Sequence, residues 1–190
     1  SAPQIAQFVE QVLAETRAAK VDLVGHSEGA FQSLYVTKTQ GIADRIDRVV
    51  AIAPPTHGTT FAGLYDLASL FGSQERTAVG QALTAFGCPA CNDLGPDGPA
   101  VETLDNGPIA QTGVTYTIIA SRTDELVTPT STAFVQEPGV TNEYVQGSCP
   151  LDPVGHIGEA YDTNVWHLVQ NALDPATATP ITVCSFGAPF

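Results

Sequence analysis

The spacing of hydrophobic positions changes along the chain, and each change marks an element. Over residues 3–19, Ile5, Phe8, Val9, Val12 and Leu13 recur at helical spacing, with Ser1 and Gln4 placed as a capping box. This predicts a helix with one face on a core. Val21 to Val24 then reads as a short buried strand, and a second helix is expected from about Gly29 to Thr39, closed by Gly41 as its C-cap. Arg48-Val49-Val50-Ala51-Ile52-Ala53 is β-branched and apolar on both faces, as a central parallel strand should be, and Pro54-Pro55 stops it. Further strands are predicted at Val114–Ala120 and at about Asn142 to Ser148. A last helix is predicted at about Ala160 to Leu173, with Tyr161, Val165, Leu168, Val169 and Ala172 on one face and Asp174-Pro175 at its end. Helices alternating with buried strands predict an α/β fold with a parallel sheet flanked by helices.

Between Thr56 and Thr112 the pattern lapses. Gly, Thr, Pro and Asp abound, and only two weak helical patterns show, at about Gly63–Phe71 and Arg76–Phe86. The stretch is expected to run over the C-terminal edge of the sheet, where α/β proteins bind ligands, as a cap or lid. A poorly ordered surface insertion is the alternative. One domain follows for the 190 residues, with its core in 1–55 and 113–190 and the insertion at about 56–112.

Composition narrows the function classes. A formal net charge of -13 with only seven Lys and Arg excludes the clustered cations that nucleic acids and anionic membranes require. No run approaches the roughly 18 apolar residues of a membrane span, and the N-terminus carries no signal-peptide pattern, so any export signal has been removed. The acidic balance, the lack of Met and four cysteines suit a secreted protein. Cys88, Cys91, Cys149 and Cys184 permit three pairings, of which Cys88–Cys91 with Cys149–Cys184 is favoured. Their spacing does not suit a zinc site, and C-P-A-C lies in a Gly/Pro-rich loop rather than at a helix start, so neither metal nor redox chemistry is expected there.

The chemistry centres on Gly25-His26-Ser27-Glu28-Gly29, a G-x-S-x-G turn between a strand and a helix. Such a nucleophile elbow holds its serine in a strained backbone conformation, with Gly25 and Gly29 expected to leave the room a side chain would fill. The helix that follows points free N–H groups at the place where an oxyanion forms, so the Glu28 backbone N–H is the expected first donor of an oxyanion hole. A serine nucleophile needs a base, and the base needs a carboxylate. In α/β-hydrolases they arrive in the order serine, acid, histidine, each after a strand. Asp124 after the 114–120 strand and His156 after the 142–148 strand fill those places. Glu125 competes with Asp124, and Asp152 could reach the His156 ring locally. His26 is expected to point away from the serine; His57 and His167 are expected to be structural.

These stretches resemble secreted actinobacterial triacylglycerol lipases and, more distantly, the lipase B type of Candida antarctica. The resemblance rests on V-D-L-V-G-H-S-E-G, R-V-V-A-I-A-P-P-T-H-G-T, T-I-I-A-S-R-T-D-E-L-V-T-P and the tail from Val145 through Cys184 with its G-H-I-G. It implies an α/β-hydrolase fold, triad roles for Ser27, Asp124 and His156, a Cys149–Cys184 disulfide, and Leu126 as a wall of an acyl pocket. The implied activity is that of a secreted carboxylic ester hydrolase acting on a lipid or small ester, with no metal or organic cofactor. A short-chain esterase, acyltransferase or cutinase-like enzyme, and a catalytically silent lipid- or polyester-binding module, remain the alternatives. Family members carry further strands before the first helix, including the loop that supplies the second oxyanion donor. An N-terminal segment of the same precursor is therefore expected to complete the sheet and the oxyanion hole.

Overall fold

The computed structural model describes residues 1–61 and 92–190. The predicted helices at Gly63–Phe71 and Arg76–Phe86, and the Cys88–Cys91 pair, lie outside the described residues. Numbered along the described residues, the helices are α1 (Ala2–Thr16), α2 (Glu28–Thr39), α3 (Pro99–Asp105), α4 (Val145–Ser148) and α5 (Thr163–Leu173). The strands are β1 (Val21–His26), β2 (Ile46–Ile52), β3 (Thr115–Ala120) and β4 (Val140–Tyr144). All four pair in parallel, in the order β1-β2-β3-β4.

Alternation along the two inner strands supplies both faces of the core. Val49, Ala51, Tyr116 and Ile118 point to one side, where they meet Val9 and Leu13 of α1 and Phe31 and Leu34 of α2. Val50, Ile52 and Ile119 point to the other and pack on Val165, Leu168 and Val169 of α5. Helices thus cover both faces of the sheet.

Several expectations change in detail. β1 is half-exposed rather than buried, with Val24 43% exposed, because the strand order leaves it at an edge of the described sheet. The Ser1 side chain makes no capping bond; its backbone carbonyl accepts from Gln4 and Ile5 N–H instead. Phe8 lies largely in solvent, since Val9 and Leu13 already fill the groove over α2. The expected strand at 142–148 is β4 followed at once by a turn of helix, α4. Gln146 in that turn reaches Ser121 and the Asp152 carbonyl, which a continuing strand would carry it away from. Tyr161 is exposed, because α5 begins only at Thr163, where the Asp162 carboxylate accepts from Asn164 and Val165 N–H.

The last part of the 56–112 stretch is built into the core. Leu94, Val101, Leu104 and Ile109 are buried in the cluster that holds α2. Lys38 from α2 donates to the carbonyls of Leu104, Asn106 and Gly107, closing the C-terminal end of α3. The Glu137 carboxylate accepts from Ile109 and Ala110 N–H on the other side.

Candidate active site

Ser27 stands between β1 and α2 with φ 56° and ψ −123°, a left-handed backbone that a non-glycine residue adopts only under constraint. Two contacts hold it there. Its N–H donates to the Ile52 carbonyl at the end of β2, and its carbonyl starts the helix by accepting from Ala30 and Phe31 N–H. Gly25 lets β1 and α2 approach: a Cβ there would lie 2.4 Å from the Gly29 carbonyl oxygen. Gly29 is different. A Cβ at Gly29 would meet no atom of the described residues within 4 Å, so the expected steric need is met by Gly25 alone.

His156 faces the serine from the loop after α4. Its Nε2 lies 2.7 Å from Ser27 Oγ, and its Nδ1 lies 2.8 Å from Asp124 Oδ2. His156 and Asp124 are both buried. Asp124 is held in turn: its Oδ1 accepts from Leu126 N–H at 2.8 Å and Val127 N–H at 2.9 Å. A carboxylate so fixed forces the proton of a neutral imidazole onto Nδ1 and leaves the Nε2 lone pair for the serine proton.

The rival residues have other tasks. Glu125 does not touch the ring; its Oε2 accepts the backbone N–H of His156 at 3.0 Å. Asp152 lies away from the ring, with its carboxylate on Asn164 Nδ2 and on Val154 and Gly187 N–H. Leu126 is partly exposed beside the acid, and its carbonyl accepts from Thr59 Oγ1. His57 bonds Asp105 and the Phe134 carbonyl, and His167 bonds the Thr179 carbonyl.

His26 does not point away. Its ring lies 4.9 Å from the His156 ring, and its Nε2 lies 2.8 Å from the His156 carbonyl oxygen, which makes it a donor to that carbonyl. The divergence expected of neighbours at a turn holds for Ser27, but the His156 loop folds over both residues. Burial, then the neighbouring His156, lowers the pKa of His26.

Glu159 escaped the sequence reading altogether. It is fully buried at the turn 158–160, and neither of its carboxylate oxygens has a hydrogen-bond partner. Burial pushes its carboxyl well above the usual range, and the Asp124, Glu125 and Asp162 carboxylates push the same way. A ligand atom from each of His26, His156 and Glu159 lies within 4.8 Å of the others. The available signal was a charged residue three positions after a candidate base, in an otherwise apolar run.

The loops that carry Asp124 and His156 are tied together below the site. Ser121 Oγ and Thr123 Oγ1 both donate to the Val154 carbonyl, at 2.6 and 2.8 Å, and Gln146 Nε2 donates to Ser121 Oγ and the Asp152 carbonyl. The Cys149–Cys184 disulfide fastens the tail to the start of the base loop.

Comparison with known proteins locates this arrangement. Aspergillus fumigatus lipase B superposes with a TM-score of 0.70 at 23% identity, covering 94% of this chain and 42% of that one. An alpha/beta hydrolase enzyme, MGS-MChE2, from a lagoon-sediment metagenome of Mar Chica, Morocco, gives 0.51 at 11% identity over 92% of this chain and 70% of its own. The fold is that of the α/β-hydrolases. No family model matches the chain. Over 59 residues the chain is 41% identical to triacylglycerol lipases of Pseudarthrobacter phenanthrenivorans and Burkholderia plantarii. That match spans 31% of this chain and only 18% and 16% of those relatives. Within the hydrolase fold, the Ser27 turn, the Asp124 loop and the His156 loop all lie at the C-terminal ends of parallel strands, where such folds place their ligands.

Proposed function

We propose that this chain carries the nucleophile, base and acid of a secreted carboxylic ester hydrolase of the triacylglycerol lipase type. The observation that carries the reading is the unbroken line from Ser27 Oγ through both nitrogens of His156 to Asp124 Oδ2. In this reading His156 takes the Ser27 proton as Oγ attacks the ester carbonyl, and Asp124 stabilises the resulting imidazolium. The proton then passes to the leaving alcohol, and water resolves the acyl-Ser27 by the same route. The Glu28 N–H at the start of α2 is the proposed first oxyanion donor. Leu126 is the proposed acyl-pocket wall. The Cys149–Cys184 disulfide supports an oxidising, extracytoplasmic setting.

The second oxyanion donor is assigned to an N-terminal segment of the same precursor. The position of β1 at the edge of the described sheet supports that assignment. Loss of one such donor costs about 3 kcal/mol, roughly a hundredfold or more in rate, so adding the segment should raise the rate by that order.

A p-nitrophenyl ester series combined with fluorophosphonate labelling tests the reading. Ser27 should take the label, rates should rise with acyl length, and Ser27→Ala should lower kcat at least ~10⁴-fold. Hydrolysis that survives Ser27→Ala would overturn the assignment, and a short-chain optimum would replace lipase with esterase.

A further inference from the structure

Glu159 is a buried carboxyl with no partner, and the triad as described gives it no task. The charges of the Asp124, Glu125 and Asp162 carboxylates act on it, offset only in part by the Ser121 backbone, and one of its oxygens lies within 4.8 Å of a nitrogen of each of two imidazoles. Such a point attracts a cation. The donor set also says which cation. Two imidazole nitrogens and one carboxylate oxygen suit zinc and its transition-metal neighbours, whereas calcium and magnesium require oxygen ligands.

We propose that His26, His156 and Glu159 form a binding site for a divalent transition metal of the zinc type, and that its occupancy switches the triad off. The three ligand atoms lie within 4.8 Å of one another. Bonds of ~2.0–2.1 Å to a tetrahedral zinc place ligands roughly 3.4 Å apart, so side-chain rotations of about an ångström close the site. Water fills the fourth position. The inhibition follows from His156, whose two ring nitrogens are both engaged. If Nε2 turns to the metal, Ser27 loses its base. If Nδ1 turns, Asp124 no longer orients the ring. Either way the metal takes a lone pair or displaces a proton to water, Glu159 releases its own proton to water as it becomes a ligand, and the relay is broken until the metal leaves. His26, half-buried, adds the second imidazole from the strand side. The metal here is an inhibitor, not a cofactor.

The inference rests on the proposed triad for its effect on rate but not for binding itself, so the two are measured separately. Tag-free protein is titrated with zinc against a chromophoric chelator, with no ester present. One zinc per chain is expected, uncontested by excess calcium, and Glu159→Gln should weaken it at least tenfold. In imidazole ¹⁵N spectra of the unmutated protein, His26 and His156 should move with zinc while His57 and His167 stay. That measurement holds even if Glu159→Gln fails to fold. Absence of one-site binding, an unchanged affinity in Glu159→Gln, or movement of His57 or His167 instead would overturn the site. Zinc should also stop ester hydrolysis, with full recovery in EDTA; hydrolysis undiminished at full occupancy would overturn the switch. A chain that binds zinc but cleaves no ester would fault the proposed function and leave the site standing.

Discussion

At the scale of single residues, half-buried His26 and buried Glu159 set opposite demands on pH. Glu159 has a folded-state pKa raised well above its ordinary 4.5 by burial and three facing carboxylates. The folded protein therefore keeps a proton that the unfolded chain releases above about pH 4.5, and stability falls as pH rises from there toward the raised value. The slope is ~1.4 kcal/mol per pH unit at most. His26, with its pKa lowered from 6.5, works the other way: its contribution is complete above that ordinary value and is lost as pH falls below it. Glu159→Gln keeps the size of the neutral acid and removes its titration, and comparison with the unmutated protein cancels His26. Urea melts in EDTA should show the two proteins equal near pH 4 and the variant increasingly the more stable through pH 5 to 7. Parallel curves would mean that Glu159 finds a counter-charge. Ser27, Asp124 and His156 were legible in the sequence because nucleophilic chemistry dictates their order and their places after strands. The place of His26 beside His156 was not, because it comes from a loop folding back across the sheet edge, and Glu159 offered only its charge, three positions after His156 in an apolar run.

At the scale of elements, the crossing of β1 and α2 has one intolerant position. A Cβ at Gly25 would stand 2.4 Å from the Gly29 oxygen, 2.5 Å from its carbonyl carbon and 2.6 Å from Ala30 N, all backbone. Nothing in that set can rotate aside, so strand and helix must part. Gly25→Ala is expected to destabilise by about 3 kcal/mol, the upper end for an overpacked core, and to remove fluorophosphonate labelling of Ser27. Gly29→Ala meets open space near the start of α2 and exchanges the poorest helix former short of proline for the best, so it should be neutral or stabilising by up to ~1 kcal/mol. Equal losses in the two variants, read by thermal melts, would show that the motif's glycines serve something other than the crossing. The inner strands were read correctly from their apolar runs because both of their faces are covered. β1 was misjudged as buried for the reason that its sequence reads the same whether or not a neighbour lies outside it. β4 ended early because Gln146 and Cys149 are claimed by distant partners, Ser121 and Cys184, which period-2 patterning cannot reveal.

At the scale of the whole molecule, the base loop is fastened by three unlike devices, and their separability can be measured. The disulfide joins Cys149, which is buried, to Cys184, 35 residues on. The tail beyond it runs back along the loop: Gly155 N–H donates to the Ala188 carbonyl and Gly158 N–H to the Phe190 carbonyl. A Cβ at Gly158 would sit 2.3 Å from Ala188 O, so tail and loop are in backbone contact. The third device is the hydroxyl pair Ser121 and Thr123 on the Val154 carbonyl, joining base loop to acid loop. The bridge acts chiefly on the unfolded chain, where closing a loop of this length is worth about 3–4 kcal/mol in the chain-entropy model. The hydrogen bonds act on the folded state, where they set the position of His156. Replacing Cys149 and Cys184 together by Ser should therefore lower the melting temperature by roughly 6–15 °C, at ~2–4 °C per kcal/mol for a chain of this size. Well below that melting temperature the rate of fluorophosphonate labelling at Ser27 should stay close to that of the unmutated protein. Ser121→Ala should do the reverse, since it strips one of two donors from Val154 and one of the acceptors of Gln146: a small loss of stability, about 1 kcal/mol, with a clear loss of labelling rate. If the double cysteine variant, still folded, loses labelling rate as far as Ser121→Ala does, the bridge positions the histidine as well as restraining the unfolded chain, and the division between the two devices fails.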